Sequence, residues 1–225
     1  MHLRTDTNPG ARPRSLYNTM STNNHAPPTY TADEALARLK SGNARFLSGK
    51  SHFPRRQKQV LAEIAKGQQP YATILGCSDS RVPPELVFDA GFGELFIVRV
   101  AGNVLGPSIA GTLQYAGMHL HTPLFVVMGH EGCGAVQAAL ASKFHGAQQA
   151  SRIELLLENI LPALDGLDTT LPPEALMSAA VEANVRWTIR VMLESPEGKA
   201  RAAEGVIKIV AAVYELSTGR VRFLD

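Results

Sequence analysis

Leu124-Phe125-Val126-Val127-Met128, followed at once by Gly129-His130-Glu131-Gly132-Cys133-Gly134, is the stretch on which the fold turns. Its first five residues are apolar without alternation. A strand covered on both faces reads this way, because neither face meets water. Two shorter runs of the same kind precede it, Ala72-Thr73-Ile74-Leu75 and Leu95-Phe96-Ile97-Val98, each bounded by Gly or Pro. Helical stretches are expected at about 108–120 and 134–144, between and after these strands. Strands alternating with helices predict crossover units and a parallel sheet. Residues 206–213 supply a further strand, and Ser217-Thr218-Gly219 turns the chain back into Val221–Leu224. The expected fold is α/β: a central, mostly parallel sheet of four or five strands, an antiparallel C-terminal edge strand, helices on both faces and a helical N-terminal arm.

Outward from that core, Thr31-Ala32-Asp33-Glu34 is a capping box that opens a helix ending near Gly49, with Leu36, Leu39, Phe46 and Leu47 on one side. A second helix is expected over 55–66, and others over 150–161 and 173–194. Residues 1–30 are rich in Pro, Asn, Thr and Ser and show no periodicity, so a disordered or extended arm is expected there. Residues 31–225 then form one domain. Arg4, Arg12 and Arg14 with the single acid Asp6 suggest a transit peptide, but Pro9 and Pro13 weaken an amphipathic helix, and Met20 offers an alternative start.

Among the 225 residues, 45% are hydrophobic and 19% charged, with a formal net charge of +2. No basic block points to nucleic acid. No apolar run approaches the roughly 18–20 residues of a membrane helix, and no apolar h-region marks a secretory signal. A cytoplasmic protein is expected.

The chain has two cysteines. Cys77 directly follows the first apolar run, and His130 and Cys133 follow the third. Ligands of open parallel sheets bind beyond the carboxyl ends of strands, so adjacent strands would bring the three side chains together. A disulfide, or a core histidine beside two inert thiols, is the structural alternative. Two thiolates and one imidazole are also a zinc set with an open fourth position, the catalytic pattern. Hydroxide generated at such an ion attacks electrophilic carbon near neutral pH. In Cys77-Ser78-Asp79-Ser80-Arg81, Arg81 can hold the Asp79 carboxylate off the metal and keep it ionised. An ionised Asp79 only accepts hydrogen bonds, which would orient the hydroxide.

Cys77-Ser78-Asp79-Ser80-Arg81, Arg99-Val100-Ala101-Gly102-Asn103 and Gly129-His130-Glu131-Gly132-Cys133-Gly134 resemble, in order and separation, the three signature blocks of β-carbonic anhydrases. The resemblance runs from about residue 31 to the C-terminus. It implies a carbonate dehydratase with one zinc ion per chain, held by Cys77, His130 and Cys133, and an Asp79–Arg81 catalytic dyad. Asp79 is also implied as a fourth ligand in a closed, inactive state. Gln68 falls where the family donates a hydrogen bond to substrate, often across a dimer interface. Phe96, Ala101, Tyr115 and Gly134 fall where the family lines its pocket. A homodimer or a dimer of dimers is implied, with carbon dioxide and bicarbonate as the small-molecule partners.

Val100 stands where the family often has Asn, and Glu131 where Ser is common. The bicarbonate-inhibited group carries a Trp three residues before the first cysteine; here that position is Ile74, although Gly76, Arg99 and Tyr214 would suit such a site. His119 and His121 are read as ordinary histidines before proton relays. A carbon disulfide or carbonyl sulfide hydrolase on the same scaffold, and a non-catalytic zinc-stabilised interaction protein, are the rival functions.

Overall fold

Apolar runs that cannot face water have to find covers on both sides, and the arrangement of the strands shows how. The structure, a computed structural model, describes residues 30–52, 61–62, 64–205 and 207–225. Strands β1 (Ala72–Gly76), β2 (Leu95–Arg99), β3 (Leu124–His130), β4 (Lys208–Tyr214) and β5 (Val221–Leu224) form one sheet in the order β2-β1-β3-β4-β5. Pairing is parallel except between β4 and β5. The register sets Ile74 beside Ile97 on one side and Val126 on the other, and His130 beside Tyr214.

Alternate residues of the strands feed two cores. Leu75, Val98, Val127 and Ala211 pack on one face, with Val136, Val181 and Val185 from helices α4 (Gly134–His145) and α6 (Pro173–Glu194). That face also takes Leu113 and Ala116 of α3 (Pro107–His119) and Leu157 of α5 (Ser151–Leu157). Ile74, Val126, Met128 and Ala212 pack on the other face, with Ala35 and Leu39 of α1 (Ala32–Leu47) and Val87 of α2 (Pro84–Val87). Full burial of a side chain such as Leu39 contributes about 1.5–3 kcal/mol.

The capping box forms: Thr31 Oγ1 accepts from Glu34 N, and Glu34 Oε2 accepts from Thr31 N. Gly42 lets α1 close on α2, because a Cβ there would lie 1.9 Å from Phe88 O. Buried Asn43 ties α1 to two other segments. Its Nδ2 donates to Val87 O and Gly219 O, and its Oδ1 accepts from Val221 N.

Three sequence expectations change. Leu47 is exposed, because the buried stripe of α1 runs through Ala35, Leu39 and Asn43 instead. The 150–161 helix ends at Leu157 and gives way to a 3-10 turn, Leu161–Leu164. Ser195-Pro196 opens a helix left unassigned by the sequence, α7 (Pro196–Glu204), in which Pro occupies the first turn and Ser195 Oγ accepts from Gly198 N. All but the last residue of the expected arm at 1–30, and most of the expected 55–66 helix, lie outside the described residues.

Candidate metal centre

Cys77 is the residue after β1, His130 is the last residue of β3, and Cys133 caps α4. The tight turn between His130 and Cys133 passes through Gly132 at φ +59°, a left-handed conformation that glycine adopts without strain. Because β1 and β3 are parallel neighbours, their carboxyl ends lie side by side. The ligand atoms of Cys77, His130 and Cys133 all lie within 4.8 Å of one another, and all three residues are buried.

The donor chemistry fits a metal. His130 Nδ1 lies 2.9 Å from Glu131 O, and a carbonyl only accepts, so Nδ1 carries the proton. That leaves the Nε2 lone pair facing the cysteines, buried and without a hydrogen-bond partner among the described residues. Asp79 Oδ2 lies 3.8 Å from the same Nε2. Two acceptors face each other there, and a positive charge between them reconciles the contact. The sulfurs are 4.0 Å apart, close to the roughly 3.8 Å that Zn–S bonds of about 2.3 Å give at tetrahedral angles. The cysteines are free thiols rather than a disulfide.

The two thiols titrate as a pair. Cys77 is drawn down to about 4, first because Cys133 donates to it, with the Gly102 N–H adding to the effect and burial opposing it. Cys133 is pushed up, because it is the donor and because it is buried. One proton therefore leaves readily and the second resists, until a cation takes both thiolates.

Arg81 grips Asp79 at both oxygens. Nε donates to Oδ1 at 2.9 Å and Nη2 to Oδ2 at 2.6 Å, while Arg81 N also donates to Oδ1 at 2.9 Å. This hydrogen bonding holds the Asp79 carboxyl well below the usual carboxylate range. Asp79 and Arg81 are thus held as an ion pair beside the Cys77, His130 and Cys133 cluster.

The pocket residues are more open. Phe96 on β2 is half-buried and stacks on Tyr115 with ring centroids 6.2 Å apart, while Tyr115 is 47% exposed. Ala101 is half-buried at the start of a 3-10 turn, Ala101–Asn103. Gly134 is exposed at the start of α4, and Gln68 is exposed in the loop before β1. His119 is exposed with its ring 4.9 Å from that of Tyr115, and His121 is exposed. A cleft of about 740 Å³ lies elsewhere, between α3 and the α6–α7 junction. It reaches Phe125 and Ile209, at the opposite ends of the strands from His130, and none of the ligands or pocket residues lines it.

The two departures from the signature blocks resolve structurally. Glu131 does not face the ligands: its Oε2 accepts from Leu216 N at 2.9 Å, pinning the β4–β5 hairpin. Val100 packs against the α4–α6 core. Arg99 has a role the sequence reading missed, donating from Nε to Cys77 O at 2.9 Å and from Nη2 to Asp79 O at 2.6 Å. It fixes the loop between ligand and dyad. Gly102, Asn184 and Thr188 were missed as well: Gly102 N donates to Cys77 Sγ, and the other two bond the turn that carries it. Polar residues inside the otherwise apolar stripe of α6 were the available signal.

Comparison with known proteins agrees with this geometry. Residues 72–221 match the family model described as carbonic anhydrase. Carbonic anhydrase 2 of Mycobacterium tuberculosis is 36% identical over 193 residues, covering 83% of this chain and 90% of that protein. The Coccomyxa β-carbonic anhydrase solved with acetazolamide superposes with a TM-score of 0.68 at 26% identity, covering 84% of this chain and 86% of that one. The β-carbonic anhydrase CafA of Aspergillus fumigatus gives 0.68 at 25% identity, covering 86% and 90%. These matches set aside a non-catalytic interaction protein. A shared sequence family and a shared fold, each spanning most of the domain, lead to one conclusion: the chain belongs to the β-class carbonic anhydrase family, enzymes that hydrate carbon dioxide.

Proposed function

We propose that the chain interconverts carbon dioxide and bicarbonate at one zinc ion held by Cys77 Sγ, His130 Nε2 and Cys133 Sγ. In such a donor set zinc acts as a Lewis acid and makes hydroxide available near neutral pH. Asp79, kept ionised by Arg81, accepts the hydrogen of the attacking oxygen and aims its lone pair at the substrate carbon. Release of that grip would free Asp79 Oδ2, already near His130 Nε2, to join the ligands in a closed state. Phe96, Ala101, Tyr115 and Gly134 line a small pocket for an apolar, linear substrate. Gln68 donates its amide N–H to the oxygen that becomes negative in bicarbonate, and the reaction's proton leaves to buffer.

One observation carries this reading: an imidazole lone pair without a partner, buried beside two thiols whose spacing suits a tetrahedral cation. The test is zinc content and carbon dioxide hydration measured on one preparation across pH, with Asp79→Ala beside the wild type. The expected result is one zinc per chain in both, with turnover falling about 100-fold or more in the variant. Full activity in zinc-loaded Asp79→Ala would remove Asp79 from the mechanism.

The assembly follows as a homodimer or a dimer of dimers. Among the described residues strand β2 is paired on one side only, and Tyr115 of neighbouring α3, stacked on Phe96, is 47% exposed. An open edge beside apolar side chains is a template for a second copy, which would also cover Gln68. Among the described residues no helix is long and apolar enough to cross a membrane.

A further inference from the structure

Helix α6 packs an apolar stripe of Ala180, Val181 and Val185 onto the sheet, yet Asn184 and Thr188 sit in that stripe at 1% and 2% exposure. Both side chains reach the same place. Asn184 Nδ2 donates to Gly102 O at 2.8 Å, and Thr188 Oγ1 donates to Asn103 O at 3.3 Å. These carbonyls belong to the Ala101–Asn103 turn. From that turn Gly102 N donates to Cys77 Sγ at 3.4 Å. Gly102 has φ +67°, and a Cβ there would lie 2.8 Å from Ile160 Cδ1, so the turn is closely confined.

The same helix presses on the other ligand strand. A Cβ at Gly129, beside His130, would lie 2.7 Å from Val185 Cγ2 and 3.2 Å from Val181 Cγ1. One rigid element therefore touches both ligand-bearing segments, with packing at β3 and hydrogen bonds at the turn over Cys77. The hydrogen bonds leave Asn184 Oδ1 and Asn103 Nδ2 buried and without a partner among the described residues. An apolar residue at 184 would avoid an orphaned acceptor.

We infer that Asn184 and Thr188 are positioning residues for the metal centre, holding the Ala101–Asn103 turn so that Gly102 N–H stays on the Cys77 sulfur. A hydrogen bond to a thiolate draws charge from it. Partners of this kind outside the ligand set tune the donor strength that a bound metal meets. The inference rests on the zinc site proposed above.

The test uses the full chain with cobalt(II) in place of zinc, since the thiolate-to-cobalt charge-transfer band reports the sulfur directly. Asn184→Leu should shift that band to lower energy and weaken zinc binding about tenfold in competition with a chelator. Thr188→Val should shift the band the same way by less. A folded Asn184→Leu protein whose band stays at the wild-type position overturns the inference, whether or not zinc affinity falls, because packing alone can cost affinity. Should Asn184→Leu fail to fold, Thr188→Val decides on the same band. A wild-type chain that takes up neither metal refutes the site itself. A wild-type chain that binds metal, with variants spectroscopically unchanged, refutes only the positioning role.

Discussion

Leu124-Phe125-Val126-Val127-Met128 and Leu95-Phe96-Ile97-Val98 read alike, yet β3 is buried at every residue and β2 only at Val98. Topology makes the difference, since β3 lies between β1 and β4 while β2, among the described residues, has a neighbour on one side only. The site divides along the same line. Cys77, His130 and Cys133 hang from the covered strands β1 and β3, and the fold of one chain encloses them. Phe96 on β2, and Tyr115 stacked on it, look outward. Apolar character thus states that a strand is to be covered, without saying by which chain.

The largest effect should come from the covered half. On the proposed ligand set Cys133→Ser replaces one thiolate donor, so bound zinc should fall to near zero and carbon dioxide hydration to the uncatalysed rate. Metal analysis and a stopped-flow indicator assay read both. Phe96→Ala, in the open half, should keep its zinc and lose only part of kcat/KM. The division fails if Phe96→Ala loses the metal too.

Assembly comes next. Tyr115→Asp puts a charge beside Phe96 of β2, at a position that is 47% exposed in the isolated chain. If a second copy covers the β2 edge, light scattering should show the mass falling to that of a single chain while circular dichroism stays native. An unchanged assembly would move the interface elsewhere.

How much of this was legible in the sequence follows from the range of each interaction. The strands, most helices and the hairpin were readable because they rest on local periodicity and on turn residues such as Ser217-Thr218-Gly219. The Cys77, His130 and Cys133 cluster was readable because strand ends converge in a parallel sheet. Pro196 was not, since proline can begin a helix as well as break one, and the Ser195 cap decided. The reach of Asn184 to Gly102 and of Arg99 to two carbonyls spans tens of residues and leaves no local pattern. The status of β2 as an edge depends on strand order, which apolar runs do not encode.

Ile74 and Ile97 turn the strand comparison into a matched pair, being the same residue type at partnered positions. Ile74 is fully buried and Ile97 half-buried. Ile74→Val should cost about 0.5–1.5 kcal/mol in urea unfolding. Ile97→Val should cost less at high dilution, and its cost should grow with protein concentration if a second copy covers β2. Equal, concentration-independent costs would mean that β2 is already covered within one chain.

The smallest effect belongs to the exposed member of the dyad. Arg81 is 58% exposed at its side chain, so solvent screens its pair with Asp79. The sign of its pH dependence is nevertheless fixed. Arg81 depresses the Asp79 carboxyl in the folded protein, whereas the unfolded carboxyl titrates near about 3.9. On acidification the unfolded chain takes up this proton first. The pair's contribution is therefore complete above the ordinary carboxylate range and drains away as pH falls through the folded value. Arg81→Leu returns the carboxyl toward its ordinary value and removes that slope. The stability gap between wild type and variant should be constant from about pH 7 to about pH 5 and should close below about pH 4. A gap that instead opens on acidification would mean that Asp79 is neutral in the native protein.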